Sequence, residues 1–202
     1  MSAIGKRASR KIPKPTGDAR AVEKADVAVT RVVAPFRKTP PVRALSFYSK
    51  IGDQPPLLAV SGAVLAFGLL SDDSRVVRAG ARMIAAHLLA TAVKNAIKGQ
   101  VDRTRPTVLV KEGRYDMKPG HTDTKEQTSF PSGHSAGAAA VACAFVREFP
   151  DQALAAYGAA GAIALAQIPR CAHYPTDVGS GIAIGWLSEA VTSKLLDRFF
   201  KG

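Results

Sequence analysis

Five apolar stretches, over residues 55–70, 75–98, 135–146, 153–168 and 178–196, fill most of the chain beyond residue 52. None alternates apolar and polar residues with a period of two, so no strand of any length is expected and helices remain. Small residues recur at helix-contact spacing, Gly181 with Gly185 and Gly158 with Gly161, which suits closely packed helices. The 55–70 stretch sits at the short edge of what crosses a bilayer, and 75–98 is nearly full length. Mean hydropathy is only +0.03, so a soluble bundle of the same helices also fits. The expected fold is all-α, a membrane-embedded bundle of about five main helices plus an N-terminal amphipathic helix.

Charge divides the chain further. Residues 1–50 hold twelve Lys and Arg against Asp18, Glu23 and Asp26, a net +9 out of +12 for the whole chain. Residues 1–18 are too polar to bury themselves and read as a disordered basic tail. Residues 19–52 read as an amphipathic, interfacial helical segment, and 53–202 as the bundle. A basic tail beside apolar helices suits an anionic bilayer surface and marks the cytoplasmic side. The implied location is a bacterial-type inner membrane. Nucleic-acid binding is not expected, because the tail lacks interleaved aromatics and a binding module. Charge and proline fill the first twenty positions, where a secretory signal would need an apolar core. Cys143 and Cys171 offer neither a disulfide framework nor metal-ligand spacing, and no metal or cofactor is expected.

Polar residues enter the apolar region on one helical face, through His87, Thr91, Lys94 and Lys98. His87 reads as a satisfied interior histidine and Lys94 as a lysine snorkelling from a helix end. A polar connection over 99–131 carries Arg103, Arg105, Lys111, Arg114, Lys118 and Lys125, and a connection of that length in a compact domain is usually functional. Hairpin order puts the end of the 75–98 helix, the start of the 135–146 helix and the 168–178 connection at one end of the bundle. With a basic tail at that end, the site is expected to face the cytoplasm.

Three polar clusters share that end. The first is Lys98 with Arg105-Pro106, the second Pro131-Ser132-Gly133-His134, and the third Arg170, His173 and Asp177. Ser132 reads as the N-cap of a helix whose free N–H groups and dipole favour an anion. A phosphoryl group in flight needs fixed positive donors, a nucleophile and a proton donor for the leaving oxygen. Lys98, Arg105 and the helix-start amides fit the first need, and two histidines can divide the others. Asp177, four residues after His173, can orient its ring; it can equally be a plain helix cap.

These motifs resemble the type 2 phosphatidic acid phosphatase family, lipid phosphate phosphatases related to bacterial acid phosphatases and vanadium haloperoxidases. Lysine, six residues, then Arg-Pro is matched by Lys98, Arg105 and Pro106, and Pro-Ser-Gly-His by residues 131–134. His173 and Asp177 fit the third motif. The resemblance implies a metal-independent phosphatase acting on a lipid phosphate monoester or lipid pyrophosphate. It implies that His173 attacks phosphorus to give a phosphohistidine, that Asp177 holds His173, and that His134 protonates the leaving group. It assigns Lys98, Arg105, Ser132 and Gly133 to the phosphate. One departure stands out: the family arginine six residues before His173 is Gln167, so Arg170 or the Gln167 amide would have to replace it. The altered motif also leaves open a non-catalytic lipid-phosphate binder, and the shared anion pocket leaves open a soluble acid phosphatase or a vanadate-dependent peroxidase.

Overall fold

Proline marks where helices begin in this chain. Its fixed φ and missing N–H suit the first helical turn, where donors have no intrahelical partner. In a computed structural model that describes residues 20–200, α2 (Pro40–Tyr48), α3 (Gln54–Leu70), α5 (Pro106–Glu112) and α8 (Pro175–Phe200) all open this way. Before them lies α1 (Ala21–Val33); between them lie α4 (Ser74–Lys98), α6 (Gly133–Glu148) and α7 (Ala153–Leu165). Asp73 starts α4 by accepting from the N–H groups of Arg75 (2.9 Å) and Val76 (3.2 Å). Short 3-10 turns join α1 to α2 and α2 to α3. The tail expected over residues 1–18 lies outside the described residues.

The all-α expectation holds, with α3, α4, α6, α7 and α8 as its main helices. Packing is tightest where side chains are smallest. A Cβ on Gly185 would lie 2.3 Å from the Ala136 carbonyl oxygen, and one on Gly181 would lie 2.5 Å from that of Ser132, so α8 meets the backbone of α6 directly. Gly158 and Gly161 are different: nothing lies within 4 Å of a Cβ at either, so that pair makes no helix contact. Leu57, Met83, Ala86, Ala90, Ala140, Val141 and Ala144 form the main core between α3, α4 and α6. Away from the site, Glu148 receives Arg78 (3.1 Å) and Arg82 (2.9 Å), and Arg147 pairs with Glu189 (2.6 Å).

Large apolar side chains stay exposed around the outside, among them Phe67, Leu70, Leu88, Leu154, Trp186 and Leu195. Exposed apolar side chains of this number and size mark a surface that meets something apolar. Among the described residues, by length and composition, one helix, α4, is long and apolar enough to cross a membrane; a second span is reached if the pair 40–52 and 54–70, bent by 59°, counts as one.

The 99–131 connection is ordered. It holds a two-stranded antiparallel hairpin, β1 (Val101–Arg103) with β2 (Met117–Pro119), that the apolar pattern did not announce. Asp102 fastens the following turn by accepting from the Thr122 N–H (2.9 Å) and hydroxyl (2.7 Å). Helix α5 ends on Gly113 at φ 73°, a left-handed position that glycine takes without strain.

Candidate active site

The three clusters meet at one end of the bundle. Lys98 at the end of α4 donates its Nζ to the Thr128 carbonyl (2.7 Å), and Arg105 donates Nη2 to the same oxygen (3.3 Å). One peptide carbonyl therefore gathers both first-motif cations just ahead of Pro131. Ser132 caps α6, its Oγ accepting from the Ser135 hydroxyl (2.9 Å) and N–H (3.4 Å). Its own N–H goes to the Asp177 carbonyl (3.0 Å), which ties the second motif to the third. The first-turn donors left for an anion are thus Gly133 and His134, with the Ser132 hydroxyl beside them.

His173 sits in the tight turn between α7 and α8, 4% exposed. The Gln167 carbonyl closes that turn by accepting from Ala172 (3.0 Å) and His173 (3.2 Å), and Cys171 carries the chain through a left-handed φ of 56°. His173 Nδ1 lies 2.7 Å from the Ser129 carbonyl oxygen and 3.7 Å from Asp177 Oδ2. A carbonyl can only accept, so Nδ1 carries the proton and Nε2 keeps its lone pair. At 3.7 Å the Asp177 carboxylate acts on the ring as a nearby charge, while the hydrogen bond belongs to Ser129. Burial pushes the His173 pKa down to about 4, with Asp177 pulling upward and Arg105 and Lys98 pushing further down. At neutral pH the imidazole is uncharged.

Asp177 is fully buried and multiply held. It accepts from Ser129 Oγ (2.6 Å) and the Tyr174 N–H (2.9 Å) on one oxygen and from Arg103 Nη1 (2.5 Å) on the other. Arg103 is the residue that sequence reasoning missed. Its guanidinium also donates to Asp26 (2.6 Å), Thr176 (2.8 Å) and Tyr115 (3.2 Å), and lies 4.3 Å from the Tyr174 ring centre. It bolts α1 to the start of α8 at 1% exposure. In the sequence it looked like one loop charge among six, and only its position in β1 separates it from Lys111 or Lys125.

His134 Nε2 lies 3.0 Å from Asp53 Oδ1, a contact from the start of α3 that no motif flagged. The charges of Lys98 and Arg105 act on both imidazoles, so His134 and His173 border the same cationic patch. Arg170 donates to Ser49 Oγ (2.7 Å), and its charge acts on both Arg105 and His134. Gln167, at the position of the family arginine, is fully buried with Nε2 turned back onto the Ile163 carbonyl (2.8 Å). His87 is interior as expected, at 2% exposure, but neither ring nitrogen has a hydrogen-bond partner among the described residues.

Residues 79–201 match the family model of the PAP2 superfamily. Two lipid A 1-phosphatases, from Rhizobium etli and Rhizobium johnstonii, are each 34% identical over 113 residues, or 52% of this chain. The match spans about half the length of those relatives, 47% and 45%. The crystal structure of a transmembrane PAP2-type phosphatidylglycerolphosphate phosphatase from Bacillus subtilis is similar at a TM-score of 0.60 and 21% identity, covering 90% of this chain and 89% of that one. Aquifex aeolicus LpxE also aligns at a TM-score of 0.60, with 20% identity over 83% of this chain and 94% of its own. At these identities the structures speak for the fold.

Proposed function

The chain belongs to the PAP2 superfamily, and we propose that it is a membrane-bound lipid phosphate phosphatase working through a phosphohistidine. The observation that carries this is the Nδ1–H of His173 held on the Ser129 carbonyl, which leaves a neutral ring whose Nε2 keeps its lone pair, within the field of Lys98 and Arg105.

In the proposed reaction Nε2 of His173 attacks phosphorus, and the bond from phosphorus to the leaving oxygen breaks. Its electron pair goes to that oxygen, which takes a proton from His134. Charge spreading over the phosphoryl oxygens is met by Lys98, Arg105 and Arg170, by the Gly133 amide and by the Ser132 hydroxyl. Attack leaves His173 positively charged, and Asp177 stabilises that charge from 3.7 Å. Burial and the nearby cations hold the His134 pKa below its ordinary value; Asp53, 3.0 Å away, opposes them, orients the ring and favours its protonated form. Water, deprotonated by His134, then attacks the phosphohistidine; inorganic phosphate leaves and both rings return to their starting states.

The exposed large apolar side chains and the family support a bilayer setting, and the matched relatives support a lipid-linked phosphate as substrate. The basic segment 20–52 packs at the site's end of the bundle, which supports a cytoplasmic-facing site. Labelling with a phosphate-labelled lipid tests the chemistry. The expected outcome is a protein-bound phosphate that is stable to alkali and labile to acid, blocked by vanadate and absent from His173→Gln. Phosphate release without such an adduct under rapid quench would overturn the mechanism, and binding without release would make the chain a lipid-phosphate binder. Cysteine accessibility across the 99–131 loop tests orientation, and labelling from outside the cell would reverse it.

A further inference from the structure

Helix α1 turns a largely polar face to the bundle and an apolar one outward. Its buried residues are Asp26, Val27 and Thr30, and Val27 alone of them is apolar, set among Leu109 and Tyr174. Outward, Val22, Ala25, Val29 and Val32 follow one another by three, four and three residues, and Phe36 extends the line by four more. All five are exposed, Val32 at 69% and Phe36 at 57%. Charge sorts the same way. Residues 20–52 contain seven Lys and Arg and two acids. Both acids are bonded inward, Glu23 to the Tyr115 hydroxyl (2.9 Å) and Asp26 to Arg103 (2.6 Å). Arg20, Lys24, Lys38, Arg43 and Lys50 are exposed, with Phe47 and Ile51 adding apolar surface. The inward face reaches the catalytic end. Asp26 Oδ1 accepts from the Thr176 N–H (3.1 Å), a first-turn donor of α8 that its own helix cannot satisfy. Its Oδ2 accepts from Arg103, whose other arm holds Asp177 (2.5 Å). Where α1 sits therefore sets where Asp177 stands beside His173.

We propose that α1 docks through this stripe on the anionic surface of the bilayer, and that docking holds Asp26 on Arg103 and Thr176, so that anionic lipid around the substrate raises turnover. Such a surface offers an apolar boundary layer for the stripe and a counter-charge for the cations beside it. The effect on turnover rests on the phosphatase reading above; the docking stands without it. Linkage makes the two reciprocal: lipid that favours the docked helix favours the ordered Asp177, and the latch in turn strengthens docking. Asp26 is a positioning residue, acting through Arg103.

The test uses the full chain in nanodiscs of phosphatidylcholine, alone or mixed equally with phosphatidylglycerol, with phosphatidic acid at a fixed, low surface fraction as substrate. Wild-type kcat is expected to rise at least about fivefold with phosphatidylglycerol, and the rise should shrink in high salt, which screens the cations. An unchanged kcat, or a change confined to KM, would overturn the coupling. Val29→Asp combined with Val32→Asp should abolish the rise, because it charges the stripe and leaves the packed face of α1 alone; a rise that persists would overturn the docking. Docking is also read directly. With Val32→Trp in a Trp186→Phe background, brominated phosphatidylglycerol should quench the fluorescence. Absent quenching, or a stripe cross-linked instead to a second copy of the chain, would overturn the docked helix. Asp26→Asn should keep the quenching and lose the dependence of kcat on lipid, and a retained dependence would overturn the latch. Quenching in a protein that hydrolyses no lipid phosphate would overturn the phosphatase reading and leave the docking standing.

Discussion

Replacing Arg103 with methionine keeps much of the side chain's length and removes its charge and donors. In the native protein this guanidinium serves Asp177, Asp26, Thr176 and Tyr115 at once, with Asp26 2% exposed and Asp177 fully buried. Removing it strands two carboxylates in a buried site. Each keeps part of its bonding, Asp177 through Ser129 and Tyr174, Asp26 through Thr176. The cost should therefore resemble that of breaking one buried ion pair, about 3–5 kcal/mol, rather than twice that. Denaturant unfolding in the detergent used for activity measures it. The stranded carboxylates will protonate more readily, so the gap between Arg103→Met and wild type should narrow as the pH falls toward 4, near the ordinary carboxylate range. Adding Asp26→Asn to Arg103→Met should return at least about 1 kcal/mol, because it removes one stranded charge. Arg103→Lys should remain damaged, since an ammonium cannot span two carboxylates as a fork can. A loss below about 1 kcal/mol, or a gap that ignores pH, would refute the keystone role.

Three further outcomes can be checked. Between pH 6.5 and about 4 the unfolded chain binds a proton that folded His173 refuses, so stability falls as pH falls through that window, by roughly 3 kcal/mol in all; unfolding of His173→Gln should lack this component, and identical pH profiles would contradict it. Arg170→Ala should lower kcat by about 100-fold if its guanidinium replaces the family arginine, while Gln167→Ala should act on stability by about 1–2 kcal/mol and leave kcat within a few-fold; full turnover in Arg170→Ala, or lost turnover in Gln167→Ala, would reassign the donor. Gly185→Ala should cost about 1–3 kcal/mol through its clash with the α6 backbone, whereas Gly158→Ala faces open space and should be neutral or gain up to about 1 kcal/mol; thermal unfolding of the two variants compares them directly.

Helix identity and the rough extents of α3, α4, α6, α7 and α8 were legible in the chain, because apolar composition and the polar breaks between the stretches act locally. The three motifs were legible for the same reason: Lys98 to Arg105, Pro131 to His134 and His173 to Asp177 each lie within a few turns of chain. What the tertiary structure alone decided is what those residues touch. Arg103 and Asp26 are 77 positions apart, Asp53 and His134 are 81, and no periodicity links either pair. The Ser129 carbonyl that fixes the His173 tautomer is a backbone group, present at every residue and therefore invisible in a sequence. Gly158 and Gly185 look alike as letters, yet only one faces another helix. Local propensity sets which segments are helical; burial and hydrogen bonding across distant segments decide which identical side chains become part of a site.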